Sequence, residues 1–125
     1  MSAVFVQPKV VRINLTCEDG AYIDVKQRLN AGQERRVFGR MVKTMQAGEK
    51  VALDPEQVGI SKMLEYLVGW SFESGGESIA VSEEAVNNLD PDVYHEIRKA
   101  IDAHEESVTK ARDAEKNARA TASAS

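Results

Sequence analysis

The spacing of apolar residues predicts an α+β domain: an N-terminal β-hairpin packed with several α-helices, then a long C-terminal helix and a disordered C-terminal end. Three observations carry this prediction. Residues 11–17 and 21–25 alternate apolar and polar side chains at the period of a strand, two Asp-Pro pairs open apolar stripes at helical spacing, and the stretch 118–125 is small, polar and of low complexity.

The clearest strand places Val11, Ile13, Leu15 and Cys17 on one face and Arg12, Asn14 and Thr16 on the other. After the turn-forming Glu18-Asp19-Gly20, Ala21, Ile23 and Val25 alternate with Tyr22, Asp24 and Lys26, so the two runs read as a hairpin. A lone hairpin is marginal in water and needs cover. Asn30 can cap a covering helix, with Gln33 three residues on reaching back as in a capping box. The run from Gln33 to Met45 sets Val37, Met41, Val42 and Met45 on one stripe, with Arg35, Arg36, Arg40 and Lys43 off it. Gly48 ends that helix, and Lys50 to Leu53 is a candidate short strand.

Asp54-Pro55 predicts the next helix start, because Asp accepts from orphan N–H groups and Pro at the first helical position loses no intrahelical bond. Its stripe is Ile60, Met63, Leu64, Leu67 and Val68. Gly69-Trp70-Ser71-Phe72 follows as an aromatic extended segment, and Ser74-Gly75-Gly76 turns the chain toward Ile79 and Val81. Ser82 caps a short helix from Glu83 to Leu89 whose acidic first turn suits the helix dipole. Asp90-Pro91 opens the longest helix, with Val93, Ile97, Ala100, Ile101, His104 and Val108 on one face. The stripe fades from Thr109, and a disordered segment is expected at least from Ala120. The organisation expected is an arm at 1–9, one domain at 10–112 and a polar flexible end at 113–125.

A chain of 125 residues has room for one domain. Sixteen basic and twenty acidic residues leave a net charge of −4 with both signs interspersed, which is not the electrostatic footprint of a nucleic-acid or anionic-membrane binder. One cysteine cannot form an intramolecular disulfide, so a reducing cytoplasm suits the chain. Met1 to Lys9 lacks the basic start and apolar core of a signal peptide, and no apolar run approaches the roughly 20 residues that span a bilayer. Neither export nor membrane insertion is expected, and no repeat of solenoid period is visible.

Chemistry is sparse. His95 and His104 lie nine residues apart, and about 900° of helical rotation points them to opposite sides, against a metal site. His95 is expected in solvent and His104 at the edge of the core. Cys17 falls in the apolar phase of its strand and reads as a buried, inert thiol. No nucleophile elbow, zinc-helix, P-loop or dinucleotide glycine motif occurs, and the adjacent pairs Glu83-Glu84 and Glu105-Glu106 diverge by about 100° on a helix. No catalytic residue, metal or cofactor is expected, and the chain reads as an interaction protein. Its candidate interface residues are Arg35, Arg36 and Arg40 as a basic patch, the adaptable Met41 and Met45, and the aromatics Trp70 and Phe72. The plainer roles are a solvated basic face for the arginines and core packing for the methionines and aromatics.

The stretch Tyr66-Leu67-Val68-Gly69-Trp70-Ser71-Phe72, the glycine turn, then Ile79-Ala80-Val81-Ser82-Glu83-Glu84-Ala85 and Leu89-Asp90-Pro91 resembles the tail assembly chaperones of long-tailed, siphovirus-type bacteriophages. In that family the turn precedes a short apolar strand, which the resemblance places around Ile79 and Val81; Gly32-Gln33-Glu34-Arg35 after the hairpin is also similar, and the likeness runs from about Val11 to Asn117. The resemblance implies an assembly factor in the cytoplasm of the infected bacterium, absent from the mature virion. It would bind the helical, aggregation-prone tape measure protein and recruit tail tube protein around it. Apart from the resemblance, self-association through the apolar faces would protect them between clients. The resemblance also implies a longer product made by a minus-one ribosomal frameshift. Glu115-Lys116-Asn117 is the candidate position, since GAA-AAA-AAC encodes it and contains a slippery heptamer; such a triplet is equally ordinary in a polar helix end. The alternative from the same setting is a structural virion component, such as a head-to-tail connector or minor tail protein.

Overall fold

The computed structural model describes residues 4–43 and 55–124, with the side chains of 41–43, 55–57 and 119–124 left aside. In chain order the elements are β1 (Val10–Asn14), β2 (Tyr22–Lys26), α1 (Ala31–Lys43), α2 (Pro55–Tyr66), β3 (Leu67–Trp70), β4 (Glu73–Ser74), β5 (Glu77–Ser78), α3 (Glu83–Asn87) and α4 (Pro91–Ala124). The first three strands form an antiparallel sheet in the order β1-β2-β3, and β4 and β5 form a separate small hairpin. The architecture is α+β, with the expected N-terminal hairpin and long C-terminal helix.

The alternation of the hairpin is what fixes its pairing. Val11 lies opposite Val25 and Ile13 opposite Ile23, which puts four apolar side chains on one face; Arg12 lies opposite Asp24 on the other. Gly20 turns the chain at a φ of 76°, in the left-handed region glycine occupies without steric cost. The inner face joins Met63 of α2, Val86 of α3 and Ile97 and Ile101 of α4 in one core, in which Ile23, Val25 and Ile97 are 0% exposed. On the outer face Arg12 pairs with Asp24 at 2.9 Å and sits 3.7 Å over the Tyr22 ring.

Helix starts follow their capping residues. Asn30 Oδ1 accepts from the Gln33 N–H at 2.9 Å while Gln33 Oε1 accepts from the Asn30 N–H at 2.8 Å, a complete capping box. Ser82 accepts from the Ala85 N–H at 3.1 Å, and Asp90 from the Asp92 N–H at 2.8 Å. Pro55 is the first residue of α2, as expected; the candidate strand at Lys50 to Leu53 lies outside the described residues.

Four expectations are corrected. The first strand ends at Asn14, because the N–H of Thr16 and its Oγ1 both donate to Glu96 of α4, at 2.7 and 2.9 Å, and leave the strand ladder. Cys17, expected in the core, is therefore exposed. Leu67 and Val68, placed on the helical stripe, instead begin β3 directly after Tyr66, where Leu67 pairs opposite Val25. A β-branched residue, a glycine and a tryptophan in succession favour that exchange of helix for sheet. The register shifts between Asp24 and Val25, and Val68 is turned outward. Finally, the strand expected around Ile79 and Val81 lies earlier, at Glu77–Ser78, paired across Gly75 and Gly76 at φ of 60° and 84°, the conformation of a two-residue hairpin loop.

Helix α4 carries 34 residues and is about 51 Å long. Its first half is packed, with Ile97 and Ile101 buried and His104 and Val108 half-buried. From Lys110 to Ala118 only Arg112 is less than exposed, so the helix has left the packed part of the domain there, as the fading apolar stripe predicts; its backbone runs on to Ala124.

Candidate protein-binding groove

Helices α1 and α2 meet across a polar seam. Arg36 and Arg40 are one turn apart on α1, as are Ser61 and Glu65 on α2, and Ser61 and Glu65 are both buried. Arg36 donates to Glu65 Oε1 at 3.1 Å and 2.8 Å, Arg40 lies 3.5 Å from Oε2, and Lys26 of β2 lies 3.6 Å from Oε1. Lys26 also donates to the Glu65 carbonyl at 2.7 Å and Arg40 to the Ser61 carbonyl at 3.3 Å. A carboxylate at 4% exposure is costly unless paired. Burial pushes the Glu65 carboxyl up, but the Arg36 hydrogen bonds and the charges of Arg36, Lys26 and Arg40 prevail and hold it below the usual range.

A second polar cluster joins α2 to α4. Lys62 bridges Asp102 at 3.1 Å and Glu105 at 2.8 Å, and the Tyr66 hydroxyl donates to Glu105 at 3.1 Å. Desolvation, then the Glu105 charge and hydrogen bond, push the Tyr66 hydroxyl up. His104 Nε2 lies 2.9 Å from the Gln27 carbonyl, so this nitrogen carries the proton. His95 is exposed and His104 half-buried, in the places the helical period assigns them. Every buried side-chain N or O atom among the described residues has a partner. Those residues hold no group of three metal-ligating side chains, and no helix among them is long and apolar enough to cross a membrane. At Cys17, partial desolvation and then the charges of Glu96 and Glu18 raise the thiol above its ordinary value, which disfavours the reactive thiolate.

Val4, Phe5, Val10 and Phe38 are exposed along the chain, and two further exposed apolar residues, Val68 and Ile79, share a groove that Arg40 borders. Among the described residues strand β3 pairs with β2 alone, and the segment 79–82 lines the same groove as β3. The groove is open, of about 570 Å³, and is walled by Leu64 and Leu67, by Val68 and Trp70 of β3, and by Ile79 and Val81. Trp70 holds the walls together: its Nε1 donates to the Ile79 carbonyl at 2.6 Å, and its ring lies 5.3 Å from that of Phe72. Val68, at 51% exposure, projects from the strand, and Ile79 is also exposed. Arg40 of α1 and Glu83 of α3 supply the charged side chains of the groove's lining. Arg40 also borders a second concavity of about 580 Å³ on α1, formed with Gly32, Arg35, Arg36 and Gly39.

The candidate interface residues therefore separate. Arg40 and Trp70 both line the groove, and the Phe72 ring packs against that of Trp70. Arg36 is tied to Glu65, whereas Arg35 is exposed on the same face. Met41 falls on α1 beyond its described side chains, and Met45 lies outside the described residues. Glu115, Lys116 and Asn117 stand exposed on the unpacked half of α4. Sequence reasoning missed Glu65, Val68 and Ile79. The i, i+4 pairs Arg36/Arg40 and Ser61/Glu65 were the available signal for the seam, but Arg36 and Glu65 are 29 residues apart.

Comparison with protein-family models, with curated proteins and with solved structures finds no match.

Proposed function

We propose that this chain is a tail assembly chaperone of a long-tailed phage, which binds the tape measure protein and helps recruit tail tube subunits around it. The observation that carries the reading is the groove beside β3: apolar side chains of the kind that fill the core line an open surface next to an arginine. Such a surface suits a helical client held by weak, exchangeable contacts. The resemblance of the stretch from Tyr66 to Pro91 supplies the identity of the client, and that stretch builds β3, the wall at 79–82 and Glu83. The protein acts as a binder and not an enzyme, in the cytoplasm of the infected host. A longer product diverging at Glu115 to Asn117 would leave the buried core of the described residues in place, since its last member is Ile101.

Co-expression with the tape measure protein of the same phage tests the reading. The client is expected to move from the insoluble to the soluble fraction and to elute with this chain. A client that stays insoluble, with no complex formed, contradicts the proposal. Recovery of the chain from purified particles by mass spectrometry, at fixed copy number, would favour the structural virion component instead.

A further inference from the structure

We infer that the β3 groove and the arginine-bearing face of α1 form one docking surface, shaped for an amphipathic helix whose apolar stripe is flanked on one side by carboxylates. The inference deepens the proposed function and rests on it for the premise that the client is helical. Arg40 borders both concavities, so the apolar wall and the basic face are continuous through one side chain.

Charge sets the chemistry of the occupant. Among the described residues, the carboxylate tied to the α1 arginines in the seam is Glu65, which is buried and already shared by Arg36, Arg40 and Lys26. The side chains of Arg36 and Arg40 remain 60% and 41% exposed while holding it. A guanidinium has five N–H donors, and these contacts use only part of them. Arg35 adds an exposed cation beside them. The result is a locally positive face on a chain of net charge −4. Glu83 at the groove argues for acids on the arginine side of the occupant alone.

Shape sets its conformation. Gly32 and Gly39 are seven residues apart and so share the arginine face of α1. A Cβ built on Gly39 would meet no atom within 4 Å, so bare backbone is presented between the arginines. Another helix can approach such a face closely and bring carboxylates to Arg35 and Arg36 while its apolar residues reach Val68, Trp70 and Ile79.

The test uses two synthetic helical peptides of about 18 residues, each with a leucine stripe, one flanked by glutamates and the other by lysines. Binding to the full chain is read by anisotropy of a neutral dye. The overall charge of the protein favours the lysine peptide, so a preference for glutamate reports the arginine face and not bulk attraction. The glutamate peptide is expected to bind at least about tenfold more tightly at low salt, with the gap narrowing as salt rises. Arg35→Glu should abolish the preference and Arg35→Ala reduce it, while Val68→Asp weakens both peptides. Equal binding of the two peptides, or a preference untouched by both Arg35 variants, overturns the inference. Co-expression keeps the two ideas apart: a tape measure protein rescued as well by Arg35→Glu as by the native chain upholds the function and rejects this surface. A glutamate preference with no rescue of that client upholds the surface and rejects the function.

Discussion

The apolar residues around Ile97 and those around Val68 share one side-chain chemistry and differ in what covers them. Ile97 and Ile101 of α4 are packed into the same core as Ile23, Val25 and Met63 and are 0% and 2% exposed. Val68, Trp70 and Ile79 line a groove open to solvent. The difference originates in pairing: among the described residues β3 pairs with β2 alone, and the segment 79–82, joined to Trp70 through the Ile79 carbonyl, forms the far wall of the groove. Apolar surface that the fold covers gives stability, and apolar surface that it leaves open is available for a partner.

Substitutions on the two surfaces should therefore act on different properties. Ile97→Ala removes a fully buried side chain and is expected to cost about 2 to 5 kcal/mol in a denaturant melt. A cost below about 1 kcal/mol would mean that the core is less tightly packed than the comparison requires.

Glu65→Gln acts at the seam between the surfaces. The folded carboxyl titrates below its ordinary value of 4.5, so the ion cluster stabilises the protein above about pH 4.5 and this contribution is lost as pH falls through the lowered folded value. At neutral pH the variant should be less stable by about 1 to 2 kcal/mol, a modest loss because Arg36 and Arg40 are half in solvent. The gap between native and variant should close in acid, as thermal melts across pH would show. A gap independent of pH would assign the loss to packing alone.

The smallest effect on stability belongs to the groove. Val68→Asp replaces an exposed side chain and should change stability by no more than about 0.5 kcal/mol. Client binding should nevertheless be lost, because a carboxylate would face the apolar stripe of the partner. A variant that binds normally would sharpen the comparison by moving the contact toward Ile79 and Trp70; one that unfolds would show that Val68 belongs to the core.

The legible parts of the fold are those whose signals are local. Asn30 with Gln33, Ser82 with Ala85, and Asp90-Pro91 each mark a helix start within three residues, and the alternation around Ile13 and Ile23 fixes the hairpin. The illegible parts depend on distant partners. Cys17 leaves the strand phase because Glu96, 80 residues from Thr16, captures the hydroxyl and N–H before it. Leu67 and Val68 continue a helical stripe in the sequence, yet the available edge of β2 draws them into the sheet. Of the candidate interface residues, Arg40 and Trp70 line the groove and Phe72 lies beside Trp70. Val68 and Ile79 were assigned to a helix and a strand, and only the end of α2 at Tyr66 and the hairpin at Gly75-Gly76 bring them to opposite walls.

Amide hydrogen exchange on the chain alone and with the tape measure protein bound tests most directly whether the groove is the client site. Protection is predicted to rise at 67–70 and 79–82 and along the arginine face of α1, with the outer edge of β1 at 10–14 unchanged. Protection gained on β1 or on the unpacked half of α4, with 67–70 and 79–82 unaltered, would contradict the account.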